Sequence, residues 1–177
     1  NYQKELVDIV KTEEKTEFPI FIQHFEDSPE LEQKAAIAFN KHIKIFPRPI
    51  FKNKKKKIRL GYYSADFRNH ATAHLISRVF ELHDKENFEI YAFSFCPLNE
   101  KDISQKRILN SCDKFIDVYK KNDQEISKLS KELEIDIAID LMGFVNNNRY
   151  KIFAKGCAPI QINYLGYPGT CGPNVMD

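Results

Sequence analysis

The sequence predicts an α/β fold in which a parallel sheet is covered by helices on both faces and preceded by short helices. Short runs with an apolar residue at every second position alternate with segments whose apolar residues follow helical spacing. Strands and helices that alternate with short connections predict right-handed crossovers, and therefore a parallel sheet. The composition, with 42% hydrophobic and 29% charged residues, is typical of a folded globular chain.

The first strand–loop–helix unit is expected over residues 58–82. Apolar side chains at 58, 60 and 62 predict a strand, and a polar loop follows over residues 64–72. A helix should come next, because Leu75, Val79 and Leu82 fall on one face at i, i+4 and i+7. A strand, a polar loop and a helix N-terminus commonly form the entrance to a ligand crevice in an α/β sheet.

The later elements repeat this unit. Strands are expected over residues 88–95, 114–119, 135–142 and 158–165. Helices are expected over residues 102–112, after an N-cap at Asp123, and over residues 146–155. Five strands in this order would make one Rossmann-like half.

Residues 1–45 are expected to be helical, with apolar side chains clustered at 6–10, 18–25 and 31–42. Ser28, Pro29 and Glu30 mark a helix start, because serine caps, proline suits the first helical position and glutamate favours the positive end of the dipole. Prolines at 47 and 49 and the lysine-rich run 52–57 mark a boundary. We therefore expect a helical tail over residues 1–50 and an α/β domain over residues 51–177.

Charge and hydropathy limit the partners. A formal net charge of +2 gives no electrostatic case for nucleic acid. No apolar run approaches the roughly 20 residues of a membrane helix. The four cysteines form no C-x-x-C pair and no zinc-like spacing with histidine, which favours free thiols in a reducing cytoplasm while leaving a disulfide open.

The first candidate site is the loop that carries Asp66, Asn69, His70 and His74. A neutral histidine beside a crevice can accept a proton from an attacking hydroxyl. Spacing alone favours the simpler interpretation that these are polar loop residues. A shared metal ion is disfavoured because the H-E-x-x-H glutamate and a third ligand are both lacking.

Two further candidates follow later strands. Asp136 and Asp140 share one face of a predicted strand, but about 13 Å of strand separates them, too far for the carboxylate pair of a glycosidase. We expect Asp140 to point toward the crevice and Asp136 to mark strand entry. Three glycines spaced by three, within 166–172, can present backbone N–H groups to a ligand or form a tight structural turn.

Three motifs in order resemble a known family. They are Gly-Tyr-Tyr-Ser-Ala-Asp-Phe-Arg-Asn-His at 61–70, Asp-Ile-Ala-Ile-Asp-Leu-Met-Gly-Phe at 136–144, and Ala-Pro-Ile-Gln at 158–161 continued by Leu-Gly-Tyr-Pro-Gly-Thr at 165–170. Together they resemble the catalytic region of O-linked N-acetylglucosamine transferases and their SPINDLY-like bacterial relatives, glycosyltransferase family 41. The helices before residue 52 are similar to the end of the tetratricopeptide array that precedes this region.

The resemblance implies a GT-B enzyme, in which two Rossmann-like domains face each other across a cleft and this chain forms the first. It implies a cytoplasmic, inverting, metal-independent transfer of N-acetylglucosamine or a related sugar. The sugar would pass from a UDP-sugar, held mostly by the second domain, to serine or threonine hydroxyls of an acceptor protein. No cofactor is expected, and the isolated chain should be inactive. The alternatives are a non-catalytic peptide-binding scaffold and a flavodoxin-like nucleotide-binding domain.

The resemblance also implies site residues. His70 matches the histidine proposed as the catalytic base. Four positions depart from the pattern. Asp136 stands where animal members carry a second histidine, Cys171 stands where serine is common, and Met142 and Phe144 also differ from the animal pattern. The residues expected around the donor and substrate cleft are Asp66, Asn69, His74, Asp140, Gly143, Leu165, Gly166, Tyr167, Pro168, Gly169 and Thr170.

Overall fold

The computed structural model describes residues 27–52 and 56–177, together with Glu5, Val7, Asp8 and Pro19. One sheet contains five strands in the order β3-β2-β1-β4-β5, and every neighbouring pair is parallel. The strands are β1 (Ile58–Ser64), β2 (Phe88–Ser94), β3 (Lys114–Asp117), β4 (Ile137–Asp140) and β5 (Ile160–Asn163). This order confirms the predicted parallel α/β fold and places the reversal of strand order between β1 and β4.

Helices cover both faces of the sheet. They are α1 (Pro29–Asn40), α2 (Ala71–Leu82), α3 (Ile103–Ser111), α4 (Asp123–Glu132) and α5 (Lys151–Ala154). Helices α2 and α3 share a hydrophobic core with Leu60 and Ile90, whereas α1, α4 and α5 share the other core with Tyr63 and Phe93. Successive strand side chains therefore point to opposite faces, as the pleat requires.

The apolar face predicted for α2 is wrong. Leu75 and Leu82 are 66% and 65% exposed, and the buried stripe carries Ala73, Ile76 and Phe80 instead. Both stripes have helical spacing, so the sequence pattern cannot choose between them. Tertiary packing does, because the Phe80 ring lies between the rings of Tyr62 and Phe67, at centroid distances of 4.7 and 5.9 Å.

Several predicted boundaries also move. Of the helix expected over residues 146–155, only α5 is helical. The residues before it do not continue the helix, because Asn147 adopts φ +62° and the Asn148 side-chain amide donates to the Val145 carbonyl at 2.7 Å. The predicted strand 158–165 shortens to β5, and Leu165 turns out of it at φ +72°. The strands predicted over 88–95, 114–119 and 135–142 also end earlier than expected.

The N-cap of α4 is Asn122 and not the predicted Asp123. The Asn122 side chain accepts from the N–H groups of Gln124 and Glu125, each at 3.0 Å, while the Glu125 carboxylate accepts from the Asn122 N–H at 2.7 Å. This reciprocal capping box satisfies the free donors of the first turn. Asp123, one residue later, is left to pair with Arg149.

The tail helix α1 packs on the α/β part of the chain. Its predicted start is confirmed, since Ser28 Oγ accepts from the Leu31 N–H at 3.3 Å and Pro29 opens the helix. At its other end, the buried Asn40 amide donates to Tyr150 Oη at 3.2 Å and to the Cys171 carbonyl at 2.9 Å. His42, just after the end of α1, is exposed.

The other predictions for residues 1–26, and residues 53–55 of the lysine-rich run, lie outside the described residues, except that Val7 is helical and packs with Leu31 and Ala35. All four cysteines are free thiols. Within the described part of the chain, no helix combines the length and apolar character needed to cross a membrane.

Candidate functional site

The candidate site lies where β1, β4 and β5 end. These carboxyl ends meet at one edge of the sheet, and the strand order reverses between β1 and β4. In open parallel sheets this edge is where ligands bind. The three motifs noted in the sequence follow these three strands, so the fold brings them together.

The loop after β1 is anchored from within. Ser64 Oγ accepts from the Asp66 N–H at 2.9 Å, and Ser64 Oγ and the Ala65 N–H each donate to Met142 Sδ at 3.4 Å. Phe67 is fully buried. These contacts join the loop after β1 to the end of β4 and fix the position from which the chain reaches His70.

A buried glutamine provides a second anchor. Gln105, in the first turn of α3, donates through Nε2 to the carbonyls of Phe67 at 2.8 Å and Pro97 at 3.2 Å. Its Oε1 accepts from the Asn99 N–H at 2.6 Å. The side chain thus joins the loops after β1 and β2. Sequence reasoning missed Gln105, because a polar residue in a weakly amphipathic helix carries no signal of burial.

His70 caps α2 and lies beside a carboxylate. Its Nδ1 accepts from the Thr72 N–H at 3.2 Å and lies 3.5 Å from Asp66 Oδ2. Asp66 is buried and also accepts from Arg68 Nη2 at 3.1 Å. The His70 side chain is 38% exposed, and its Nε2 has no hydrogen bond within the described part of the chain. The imidazole therefore offers Nε2 to a substrate while Asp66 faces the other ring nitrogen.

Asn69 and His74 form a separate pair. The Asn69 side-chain oxygen lies 3.0 Å from His74 Nε2, and the Asn69 N–H donates to Asp102 Oδ2 at 2.7 Å. His74 is exposed. Among the described residues, no group of three or more His, Cys, Asp or Glu side chains is arranged to hold a metal ion.

The prediction that Asp140 points toward the crevice is wrong. The side chain is buried, and its two oxygens accept from the N–H groups of Met142 at 2.9 Å and Gly143 at 3.1 Å. Burial raises the pKa of Asp140 to about 7, against the opposing effect of these two bonds. Asp140 therefore closes the turn after β4. Asp136 accepts from the Arg59 N–H at 2.8 Å at the start of the strand, as expected of a strand-entry residue.

The loop after β5 divides into a buried and an exposed part. Tyr167 is buried with its ring 5.5 Å from that of Phe144, and it lies so close to Gly143 that a β-carbon there would overlap it. Gly166 and Gly169 are partly buried. Of the predicted cleft residues in this loop, Leu165, Pro168 and Thr170 are exposed. Their side chains are placed to meet a ligand, as is that of Tyr164, which is 48% exposed.

A cavity of about 520 Å³ opens at the same edge, between the loops that follow β1, β2 and β3. Arg68 and the exposed Tyr119 line it, together with Arg149, whose guanidinium lies 5.3 Å from the Phe95 ring centroid. Arg149 is held by Asp123 at 2.6 and 2.8 Å. Sequence reasoning missed Tyr119 and Arg149, since neither lies within a motif.

A parallel sheet with a histidine-bearing loop at its switch point is the architecture of α/β enzymes that bind ligands at the carboxyl ends of their strands. The sequence pattern of glycosyl transferase family 41 matches residues 30–177. The chain therefore belongs to this family.

Curated relatives agree. A probable UDP-N-acetylglucosamine–peptide N-acetylglucosaminyltransferase SEC of Arabidopsis thaliana is 37% identical over 69% of this chain, and a Caenorhabditis elegans protein named as such a transferase is 32% identical over 69%. The chain spans only 12% and 11% of their lengths. A solved O-GlcNAc transferase of Thermobaculum terrenum superposes with a TM-score of 0.76 at 26% identity, covering 85% of this chain and 29% of that one.

Proposed function

We propose that this protein is an inverting protein O-glycosyltransferase, in which the described chain forms one wall of the active-site cleft. Family membership and the names of the relatives support the reaction class. The observation that carries the proposal is the pairing of His70 with Asp66 at the strand-order reversal, with Nε2 left open. This is the geometry expected of a general base supported by a carboxylate.

The transfer requires removal of a proton from an acceptor serine or threonine hydroxyl as its oxygen attacks the sugar carbon. In our proposal the proton passes to His70 Nε2, and the bond from sugar to diphosphate breaks on the opposite side. His70 then carries a positive charge, which the Asp66 carboxylate 3.5 Å from Nδ1 stabilises. For this step Nδ1 must hold a proton, so it cannot accept from the Thr72 N–H at the same time.

The donor in this proposal is UDP-N-acetylglucosamine or a related UDP-sugar, and the reaction needs no metal ion. The diphosphate is held mainly by a part of the protein other than residues 1–177. We therefore expect these residues alone to be inactive and to bind UDP weakly in calorimetry. The acceptor is a protein or peptide in the cytoplasm, and neither nucleic acid nor membrane takes part.

The exchange His70→Asn tests the base. Asparagine is among the best N-cap residues, so it keeps the cap of α2 while removing the proton acceptor. In the complete protein, supplied with a panel of UDP-sugars and monitored by mass spectrometry of the acceptor, turnover should fall about 10²- to 10⁴-fold. UDP affinity should stay near the wild-type value.

The exposed His42 provides the matched control. His42→Asn makes the same exchange outside the candidate site and should change turnover little. Wild-type turnover in His70→Asn would remove His70 from the mechanism. Absence of sugar transfer by the wild-type protein from every donor would overturn the proposed function itself.

A further inference from the structure

A second concave site lies away from the carboxyl edge, on the outer side of α4. Six residues line a cavity of about 270 Å³, which we call the Phe46 pocket: Phe46, Gln124, Ser127, Lys128, Lys131 and Lys155. Four of them follow helical spacing along one face of α4. The pocket extends to the C-terminal ends of α4 and α5, which in a parallel α/β fold lie at the amino edge of the sheet.

The pocket has an aromatic floor. Phe46 is 38% exposed, and its N–H donates to the Ala154 carbonyl at 2.8 Å, which fixes its backbone against α5. The ammonium nitrogens of Lys44 and Lys155 lie 5.0 and 5.3 Å from the centre of the ring. These distances are within the range of cation–π attraction. A partly exposed apolar ring thus lies close to two positive charges.

The positive charges of the pocket are poorly balanced. The described lining includes three lysines and no acidic side chain. Lys128 pairs with Glu132 at 3.5 Å, but both side chains are largely exposed and such pairs are weak. Lys131 donates to the Lys155 carbonyl at 2.9 Å and so stabilises the end of α5. Neither Lys44 nor Lys155 has an acidic partner within residues 27–52 and 56–177.

We propose that the Phe46 pocket binds an acidic peptide segment, with an apolar side chain against Phe46 and carboxylates beside Lys44, Lys128 and Lys155. The cavity has the volume of one or two side chains, which suits a peptide better than a membrane surface. A formal net charge of +2 supplies no broad field for a nucleic acid. Local charge complementarity therefore selects a short anionic segment.

The identity of that segment rests on the proposed function. In a protein glycosyltransferase, an acidic segment of the acceptor would dock on α4 and raise the local concentration of its hydroxyl at the cleft. This linkage predicts an effect on KM and none on kcat, because the pocket contacts no reacting atom.

Binding is tested with a fluorescein-labelled, glutamate-rich peptide that carries one central leucine, titrated with the complete protein in fluorescence polarisation. Lys128→Glu should weaken binding on the order of tenfold, because charge reversal removes an attraction and adds a repulsion. Phe46→Ala should weaken it as well through loss of the apolar contact. Lys106→Glu, an equal charge change at an exposed site on α3, should leave binding unchanged.

Three results would overturn the proposal. These are equal affinities of Lys128→Glu and Lys106→Glu, equal binding of a peptide with glutamine in place of glutamate, and Lys128-dependent binding of phosphatidylserine vesicles without binding of the peptide. Unchanged melting temperatures show that the variants fold.

A transfer assay separates this proposal from the proposed function. Appending the acidic peptide to a neutral acceptor should lower KM for the wild-type protein and not for Lys128→Glu, with kcat equal in both. If no acceptor is glycosylated, the proposed function fails while the polarisation result still decides whether the pocket binds acidic peptide. If transfer occurs but the appended segment leaves KM unchanged, the assignment of that segment to the acceptor is wrong.

Discussion

Gly166 packs against the backbone of Leu141 so closely that a β-carbon on residue 166 would overlap the Leu141 carbonyl oxygen. The preceding Leu165 is in the left-handed region at φ +72°, and the Gly166 N–H donates to the Tyr164 carbonyl at 2.9 Å. The loop after β5 therefore packs directly against the end of β4. This contact fixes the position of the exposed residues of that loop.

Replacing Gly166 with alanine should therefore destabilise the protein. The Leu141 backbone lies against the position of the new β-carbon and cannot rotate away as a side chain could. We therefore expect the free energy of unfolding to fall by about 1–3 kcal/mol. Thermal denaturation measures this change. Pro168→Ala, at an exposed position of the same loop, is the control and should have a small effect. Equal melting temperatures for Gly166→Ala and the wild type would contradict the close packing.

Two buried tyrosines should respond oppositely to loss of their hydroxyls. Tyr167 Oη is buried without a hydrogen-bond partner in the described part of the chain, whereas Tyr150 Oη donates to the Cys171 carbonyl at 2.7 Å and accepts from Asn40. Tyr167→Phe should leave the free energy of unfolding unchanged or raise it, whereas Tyr150→Phe should lower it by about 1–3 kcal/mol. Chemical denaturation measures the free energy of unfolding of both variants. Equal destabilisation by the two exchanges would mean that Tyr167 Oη has a partner.

Asp140 should make stability depend on pH. Its pKa rises from an ordinary value of 3.8 to about 7 in the folded chain, so between these values the folded state keeps a proton that the unfolded state has lost. Its contribution to stability is then present below the lower value and is lost as the pH rises through the higher one. The melting temperature of the wild type relative to Asp140→Asn should fall between about pH 4 and about pH 7 and level off at higher pH.

The control for this pH dependence is Pro168→Ala, at an exposed position whose side chain does not ionise. The melting temperature of this variant relative to the wild type should stay nearly constant over the same range. A difference between wild type and Asp140→Asn that is independent of pH would show that Asp140 stays ionised when buried.

Asp66 should support His70 without contacting the substrate. Asp66→Asn removes the charge that stabilises the imidazolium, so turnover should fall about 10- to 100-fold while UDP affinity stays the same. Steady-state kinetics measures turnover, and calorimetry measures UDP affinity. Wild-type turnover in Asp66→Asn would contradict the pairing.

Local sequence signals predicted much of the fold. The period-two runs located all five strands, and Ser28 with Pro29 located the start of α1, because these features depend on neighbours along the chain. Boundaries were less well predicted. Asn147 lies ahead of the late start of α5 and Leu165 follows the end of β5, and the spacing of apolar residues does not specify the left-handed conformation of either.

Residue patterns along the chain predicted the order of strands and helices, the three motifs and the place of His70 ahead of a helix. Long-range packing settles which side of α2 is buried, turns the Asp140 carboxylate onto backbone N–H groups, buries Gln105 between two loops and brings the residues of the Phe46 pocket together. Short-range periodicity shows which residues share a face of a helix or strand. It does not show what packs against that face. The contacts of Asp66 with His70 and of Gly166 with Leu141 join separate parts of the local structure, so periodicity could not predict them.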